Sequence, residues 1–234
     1  MIVTLCPLSV SAKSVNNKAK TVTVSQTNDV ITVSKNVKVN STFSSPKAVG
    51  IKKAKLKRLY NIVSDNTKVA TVTAAGTVKG IKKGATTITL TSKADGSVYA
   101  KINVNVKNRY NKQKLRLMSA IIYAEAGSEC YAGKKAVGIV IMNRVRSKDF
   151  PGTLKKVIYQ PGQFGPVRNG SLKKALKLYD EGRLNKKCIK AAKATLNGDR
   201  VVTYKNVKTD MSSYLFFSGY VSGMRLQIQG HQFK

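Results

Sequence analysis

Acidic side chains are scarce in this chain. Asp and Glu together number 10 among 234 residues, against 43 Lys and Arg, so the formal charge at pH 7 is +33. Histidine occurs once and cysteine three times. Zinc is held by several His, Cys or carboxylate ligands at close spacing, and this supply argues against a metal site. It also argues against a small disulfide-built scaffold. If Cys6 is lost with a processed N-terminus, Cys130 and Cys188 remain, and one disulfide or two free thiols fit equally. No apolar run reaches the roughly 18 residues that a membrane span needs. There is no C-x-x-C pair, no RNP-like strand and no helix with clustered arginine. Lys outnumbers Arg 34 to 9, which suits diffuse attraction to polyanions better than bidentate reading of bases. Nucleic acid binding therefore rests on charge alone. Anionic lipid and the acidic polymers of a bacterial wall answer to the same charge.

What is present divides the chain in two. Hydrophobic residues make up 42%, enough for a buried core. The excess of positive charge is even, +16 over residues 1–110 and +17 over 111–234, so there are two basic surfaces and no basic tail. The start, "MIVTLCPLSVSAK", is apolar and then small, and Val10-Ser11-Ala12 fits a secretory cleavage site. A basic leader is missing, and a first β-strand is the other reading. Residues 1–12 are expected to be a signal-peptide remnant. Beyond them "KTVTVS", "VITVSKNVKV", "KVATVT", "GTVKGI", "ATTITLTS" and "YAKINVNV" alternate apolar and polar residues, with glycines between, which predicts a small β-sandwich. Its three acids, Asp29, Asp65 and Asp95, lie in or beside turns, where Asp serves the backbone. "KNRYNKQK", 107–114, has no period and reads as a linker. After it "LRLMSAIIYAEA", "YAGKKAVGIVIMNRV", "SLKKALKLYDEG" and "CIKAAKATLNG" carry helical stripes, and the last two close on glycine.

Glu125 draws notice among so few acids. In helical register it shares a face with Met118, Ile121 and Ile122, and Gly127 ends the helix beside it. Burial among apolar groups and the negative end of a helix both raise a carboxyl's pKa. A carboxylic acid kept protonated near neutral pH can protonate the leaving oxygen of a glycosidic bond. A surface glutamate at a frayed helix end, paired with Lys134 or Lys135, is the plain alternative. Glu129 is either a second carboxylate or a residue favoured by the start of the next helix. The remaining acids, Asp149, Asp180, Glu181, Asp199 and Asp210, fall in turns, loops or helix ends.

Two stretches resemble known families. "IVSDNTKVATVTAAGTVKGIKKGATTITLTSKADGSVYAKINVNV", 62–106, resembles the bacterial Ig-like group 2 domain, a module typical of surface proteins. The resemblance implies an Ig-like sandwich over 13–106 that acts as spacer or wall anchor. "YAEAGSECYAGKKAVGIVIMNRVRSKDFPGTLKKVIYQPGQFGPV", with "IQGHQF" near the end, resembles the cell-wall hydrolase family of the spore cortex-lytic enzymes, which is similar to lysozyme-like lytic transglycosylases. That resemblance implies a mainly α (α+β), lysozyme-like catalytic domain over 115–234. Two features depart from the family's pattern: Cys130 stands where Pro is common, and an Asn-Pro is missing after the aromatic run.

The second resemblance implies a secreted, wall- or spore-associated enzyme that cuts peptidoglycan between N-acetylmuramic acid and N-acetylglucosamine. Glu125 would be the acid and then the base. Glu129 would be the further carboxylate if the reaction were hydrolytic. Gln163 could hydrogen-bond the sugar, and Phe164 could stack on it or fill the core. Tyr214, or Tyr220, could assist Glu125, and His231 could act as a base, bind substrate in the cleft or serve structure. No cofactor or metal is expected. The expected partners are glycan strands and anionic wall polymers, with the chain a monomer. A non-catalytic wall-binding surface protein and a basic nucleic-acid-binding protein are the alternatives.

Overall fold

A computed structural model describes residues 30–234. The expected signal remnant, 1–12, and the first part of the expected sandwich lie outside the described residues. Within them, strand β1 (Ile31–Lys38) is followed by β2 (Thr42–Ser44), short helices α1 (Ser45–Ala48) and α2 (Lys53–Leu59), then β3 (Tyr60–Ser64), β4 (Ala70–Val72), β5 (Thr77–Gly80), β6 (Gly84–Ser92) and β7 (Val98–Lys107).

Alternation sets this half. In β7 the side chains of Ala100, Ile102, Val104 and Val106 point inward and are buried, while Lys101, Asn103, Asn105 and Lys107 point outward. The same period-two pattern orients β6, which pairs antiparallel with both β7 and β3. β1 lies parallel to β7, from Ile31 opposite Ala100 to Lys38 opposite Lys107. A second sheet, in the order β2-β5-β4, meets the four-stranded one over a core that includes Leu56, Val78, Ile88, Leu90 and Ile102. The expected all-β half carries two short helices between β2 and β3. "KKAKLKRL" lacks alternation and is built of good helix formers, so it coils and leaves Leu56 as its one buried residue. Gly76, at φ +80, allows the close approach: a Cβ there would stand 2.5 Å from Leu56 and 2.6 Å from Pro46.

Helix α3 (Lys112–Ala126) begins inside the stretch expected to be unstructured, because Asn111 caps it, its Oδ1 accepting from Lys114 N at 2.9 Å. Only residues 108–111 lack regular structure between β7 and α3. Arg109 ties the two halves together. Its Nε donates to Val39 O at 2.8 Å and its guanidinium to Ser41 Oγ at 2.6 Å, while its backbone N–H donates to Asn197 Oδ1 at 3.1 Å.

The helical half continues with α4 (Tyr131–Arg146), α5 (Leu154–Ile158), α6 (Gly165–Arg168), α7 (Ser171–Asp180) and α8 (Lys186–Leu196). α4 is apolar nearly all round and forms the centre, with α3, α5 and α8 packed on it. Gly138 makes this packing possible: a Cβ there would lie 2.9 Å from Ile122 of α3 and 3.0 Å from Thr195 of α8. Cys188 is buried beside this core, and Cys130 and Cys188 are both free thiols, so of the two options the unpaired one holds.

The tail holds strands that the pattern "YLFFSGYVSGMRLQIQGHQFK" did not disclose. β8 (Val201–Tyr204) and β9 (Val207–Asp210) form a hairpin whose two turn residues, Lys205 and Asn206, both have positive φ, 47° and 64°. β10 (Phe217–Ser218), β11 (Leu226–Ile228) and β12 (His231–Phe233) form a sheet in the order β10-β12-β11.

Gly138→Ala should destabilise the fold by about 1–3 kcal/mol, because crowding a close-packed core outweighs the gain of about 1 kcal/mol in helix propensity. Denaturant unfolding of the two proteins measures the difference, and an unchanged or higher midpoint would remove Gly138 as the contact that sets helix spacing.

Candidate active site

The site begins at the C-terminal end of α3. Met118, Ile121 and Ile122 are fully buried, and Glu125 is the next residue on their face. Its Oε1 is buried with no hydrogen-bond partner. Loss of water raises the Glu125 pKa from the usual 4.5 to about 7, and the positive charge of Arg144 holds back part of that rise. Neither suggested lysine pairs with it. Lys134 turns its Nζ to the backbone carbonyl of Glu129, and Lys135 pairs with Asp199 at 2.5 Å. Glu125 opens onto a pocket of about 520 Å³ between the end of α3 and the face of α7, with Tyr123 and Ser128 on one side and Ser171 and Lys174 on the other. Gly127 turns the chain here. A Cβ on it would sit 2.6 Å from Tyr123 O, so a side chain would require the backbone to move.

Arg144, near the end of α4, is the residue that sequence reasoning missed. It is buried, its Nε donates to Leu215 O at 2.7 Å and its Nη1 donates to Gln163 Oε1 at 3.1 Å. The rings of Phe150, Phe164 and Phe216 surround its guanidinium at 5.1, 5.5 and 5.7 Å. Burial depresses its own pKa, and Glu125 opposes that shift. The available signal was an arginine at the end of the apolar run Ala136–Met142, where burial demands a partner.

The other expected residues separate into layers. Gln163 is exposed and is oriented by Arg144. Phe164 is 2% exposed and packs against Phe217, so it fills the core and has no open face for a sugar. Tyr214 is also buried, with Arg225 stacked on its ring at 4.0 Å, so it does not face solvent as a sugar contact would. Its carbonyl, with that of Met211, accepts from Asn143 Nδ2. Tyr220 is fully accessible at 78%. Phe216, half exposed beside Arg144, is the aromatic ring with a free surface here.

Glu129 is enclosed from several sides, and its Oε2 is buried without a hydrogen-bond partner. Its Oε1 lies 3.3 Å from His231 Nδ1 of β12, and both side chains are largely buried. Gly133 of α4 and Gly230 of the β11–β12 turn wall the carboxylate in: a Cβ on either would come within 3.0 and 3.2 Å of its oxygens. The same turn presents Gln229, at φ +48, whose Oε1 accepts the N–H of Cys130 at the start of α4. Glu129 does not line the pocket that Glu125 opens onto. His231 is thus packed beside Phe217 and Phe233 as the partner of Glu129.

Residues 128–233 match the family model described as Cell Wall Hydrolase. Over that stretch the chain is similar to the cell wall hydrolases. The match takes in Glu129, Gln163, Phe164, Tyr214 and His231 and begins three residues after Glu125. The chain is 41% identical over 68 residues to the spore cortex-lytic enzyme of Bacillus cereus, a segment that is 29% of this chain and 26% of that protein. It is 40% identical over 70 residues to that of Oceanobacillus iheyensis, 30% of this chain and 25% of the relative. The chain therefore spans about a quarter of the length of these curated relatives. Among solved structures it is 26% identical to the catalytic domain of the germination-specific lytic transglycosylase SleB from Bacillus anthracis, covering 53% of this chain and 95% of that one with a TM-score of 0.41. The catalytic domain of the Bacillus cereus SleB protein is 27% identical over 53% of this chain and 91% of that one, also at a TM-score of 0.41. No helix among the described residues is long and apolar enough to cross a membrane.

The raised pKa of Glu125 links charge to stability. The folded state holds its proton more tightly than the unfolded chain does. The cost of this carboxyl is therefore absent below about pH 4.5, grows as pH rises and is complete above about pH 7. Glu125→Gln, which is neutral at every pH, should melt higher than the wild type at pH 8 and at the same temperature near pH 4. Equal melting temperatures at both pH values would mean that the carboxylate is fully solvated.

Proposed function

We propose that the helical half cleaves peptidoglycan glycan strands as a lytic transglycosylase, at the bond between N-acetylmuramic acid and N-acetylglucosamine. The observation that carries the reading is the Glu125 carboxyl: buried on one oxygen, unpartnered, raised to a pKa of about 7 and open to a pocket. Protonated Glu125 gives its proton to the glycosidic oxygen, and the departing sugar leaves positive charge at C1 of the muramic residue. The resulting carboxylate is stabilised by Arg144. It then takes the proton of the sugar's own 6-hydroxyl as that oxygen attacks C1. The 1,6-anhydro ring closes, Glu125 is protonated again and no water is consumed.

A hydrolytic route needs a second carboxylate, as nucleophile or to activate water. Glu129 is the neighbouring applicant, and its position beside His231 and outside the pocket that Glu125 opens onto speaks against that role. Gln163, oriented by Arg144, and the exposed ring of Phe216 supply a hydrogen bond and a stacking face for the strand. The sheet half serves as an Ig-like spacer over 13–106 in a secreted, monomeric wall enzyme, with the catalytic part over 115–234. A purely wall-binding role has no use for an unpaired carboxyl kept in apolar surroundings.

Digestion of purified peptidoglycan, with the muropeptides identified by mass spectrometry, tests the reading. The wild type should release 1,6-anhydromuramyl products, at a rate that falls as pH rises through about 7. Glu125→Gln should lose at least about a hundredfold in rate. Reducing-end products would identify a hydrolase and return the second role to Glu129.

A further inference from the structure

The chemistry at Glu125 leaves unused the most basic segment of the sheet half. Lys52 and α2 place Lys53, Lys55, Lys57 and Arg58 on the surface around one buried anchor, Leu56. Lys93 joins them, its Nζ donating to Lys57 O at 2.9 Å. Local energetics oppose this arrangement. Lys52 at the N-cap offers no capping side chain, and the first turn holds no acid. Lysines stand at the positive end of the helix dipole, and Lys53 and Lys57 are like charges four residues apart. From residue 30 to residue 64 there is no Asp or Glu at all. Among the described residues, no Lys or Arg of the sheet half has a carboxylate within 4.0 Å, whereas the helical half pairs Arg116, Lys135, Lys177 and Arg183. Beside the helix runs an open groove of about 620 Å³, walled by the stems of Lys53, Lys57 and Arg58 and by Ala75. Where a segment breaks local rules without a folded-state gain, function is the usual reason.

We propose that this α2 face binds the phosphodiester-linked polyol chains of the bacterial wall and so holds the chain on its substrate. The assignment rests on the wall-lytic reading of the helical half. Mobile lysine charges along a shallow groove meet a row of phosphates and demand no fixed geometry. With one arginine among mobile lysines the set suits a row of phosphates better than the reading of bases, which places a polyol phosphate ahead of a nucleic acid as the occupant.

The test compares two variants of the full chain that lose equal charge. In one, Lys53, Lys55, Lys57 and Arg58 are each changed to Gln, which keeps helix propensity and Leu56. In the other, the exposed Lys155, Lys156, Lys186 and Lys187 of the helical half are changed to Gln. Thermal melts establish that both fold. Each is sedimented with purified walls over a range of salt, before and after hydrofluoric acid strips the polyol phosphate. The α2 variant should bind intact walls about tenfold or more weakly, with the slope of log K against log salt reduced by about three. The control variant should stay within about twofold of the wild type, and stripped walls should retain the wild type and the α2 variant alike. Equal losses in both variants would mean that attraction is spread over the whole charge, and undiminished wild-type binding to stripped walls would remove the polyol phosphate; either result overturns the proposal. A loss confined to double-stranded DNA would reassign the surface to nucleic acid. Turnover of short soluble glycan fragments should be the same in the α2 variant and the wild type. A wild type that binds walls through α2 yet cleaves nothing would sink the lytic reading and leave this surface standing.

Discussion

The site depends on a carboxyl that is kept from water without being neutralised. Glu125 loses hydration on the apolar face of α3, and Arg144 returns only part of that loss through its charge. A direct bidentate pair would pin the carboxyl as an anion and depress its pKa far below use. No charge nearby would leave the anion with no stabilisation once the proton is given away. Placing the guanidinium within electrostatic reach, with its hydrogen bonds committed to Leu215 O and Gln163, resolves the conflict. Arg144 can hold that place because α4 is the buried centre of the domain, and α4 can be approached closely by α3 and α8 because residue 138 has no side chain.

The C-terminal sheet completes the site from the other side. His231 on β12 meets Glu129, and Gln229 in the adjoining turn takes the first free N–H before α4. These contacts close on the four-residue segment that joins α3 to α4, immediately after Glu125. From His231 the contacts run through Phe217 to Phe164 and on to the guanidinium of Arg144. One aromatic layer therefore supports both the base of the α3–α4 turn and the arginine. This accounts for the burial of Phe164 and Tyr214. Aromatic residues that look available to a sugar in the sequence are needed beneath the site, and Phe216, at the edge of the layer, is left with an open ring.

What was legible in the sequence followed from periodicity. The alternation of β6 and β7 and the stripe of α3 gave the strand faces and placed Glu125 on an apolar face ended by Gly127. Three features were not legible, each for a physical reason. α2 has a single buried anchor, so its helical stripe is one residue deep. Strands β10, β11 and β12 are two or three residues long, too short for a period, and they are fixed by pairing with one another and by the Gln229 turn. Arg144 carried no periodic signal of its own, since its meaning comes from residues 6 to 72 positions away that the fold gathers around it. Glu129 was visible as a carboxylate near Glu125, but only the return of β12 reveals that it is occupied by His231.

The scarcity of acids and the burial of Glu125 are parts of one constraint. On a chain of formal charge +33, the surrounding potential favours every carboxyl in its ionised form. An exposed glutamate in this field would sit below its ordinary pKa and could not serve as an acid near neutral pH. Desolvation is the effect large enough to act in the opposite direction, and it leads the causes of the shift at Glu125. The two electrostatic tasks are thus separated by dielectric. Long-range attraction to a polyanion acts through water, where salt screens it over about 8–10 Å. In the proposed reaction, proton donation takes place at a half-buried carboxyl with one oxygen shielded from water, where desolvation outweighs the charge of Arg144. A highly basic protein can keep a protonated acid only where burial outweighs its field, and Glu125 meets that condition at the end of the apolar face of α3.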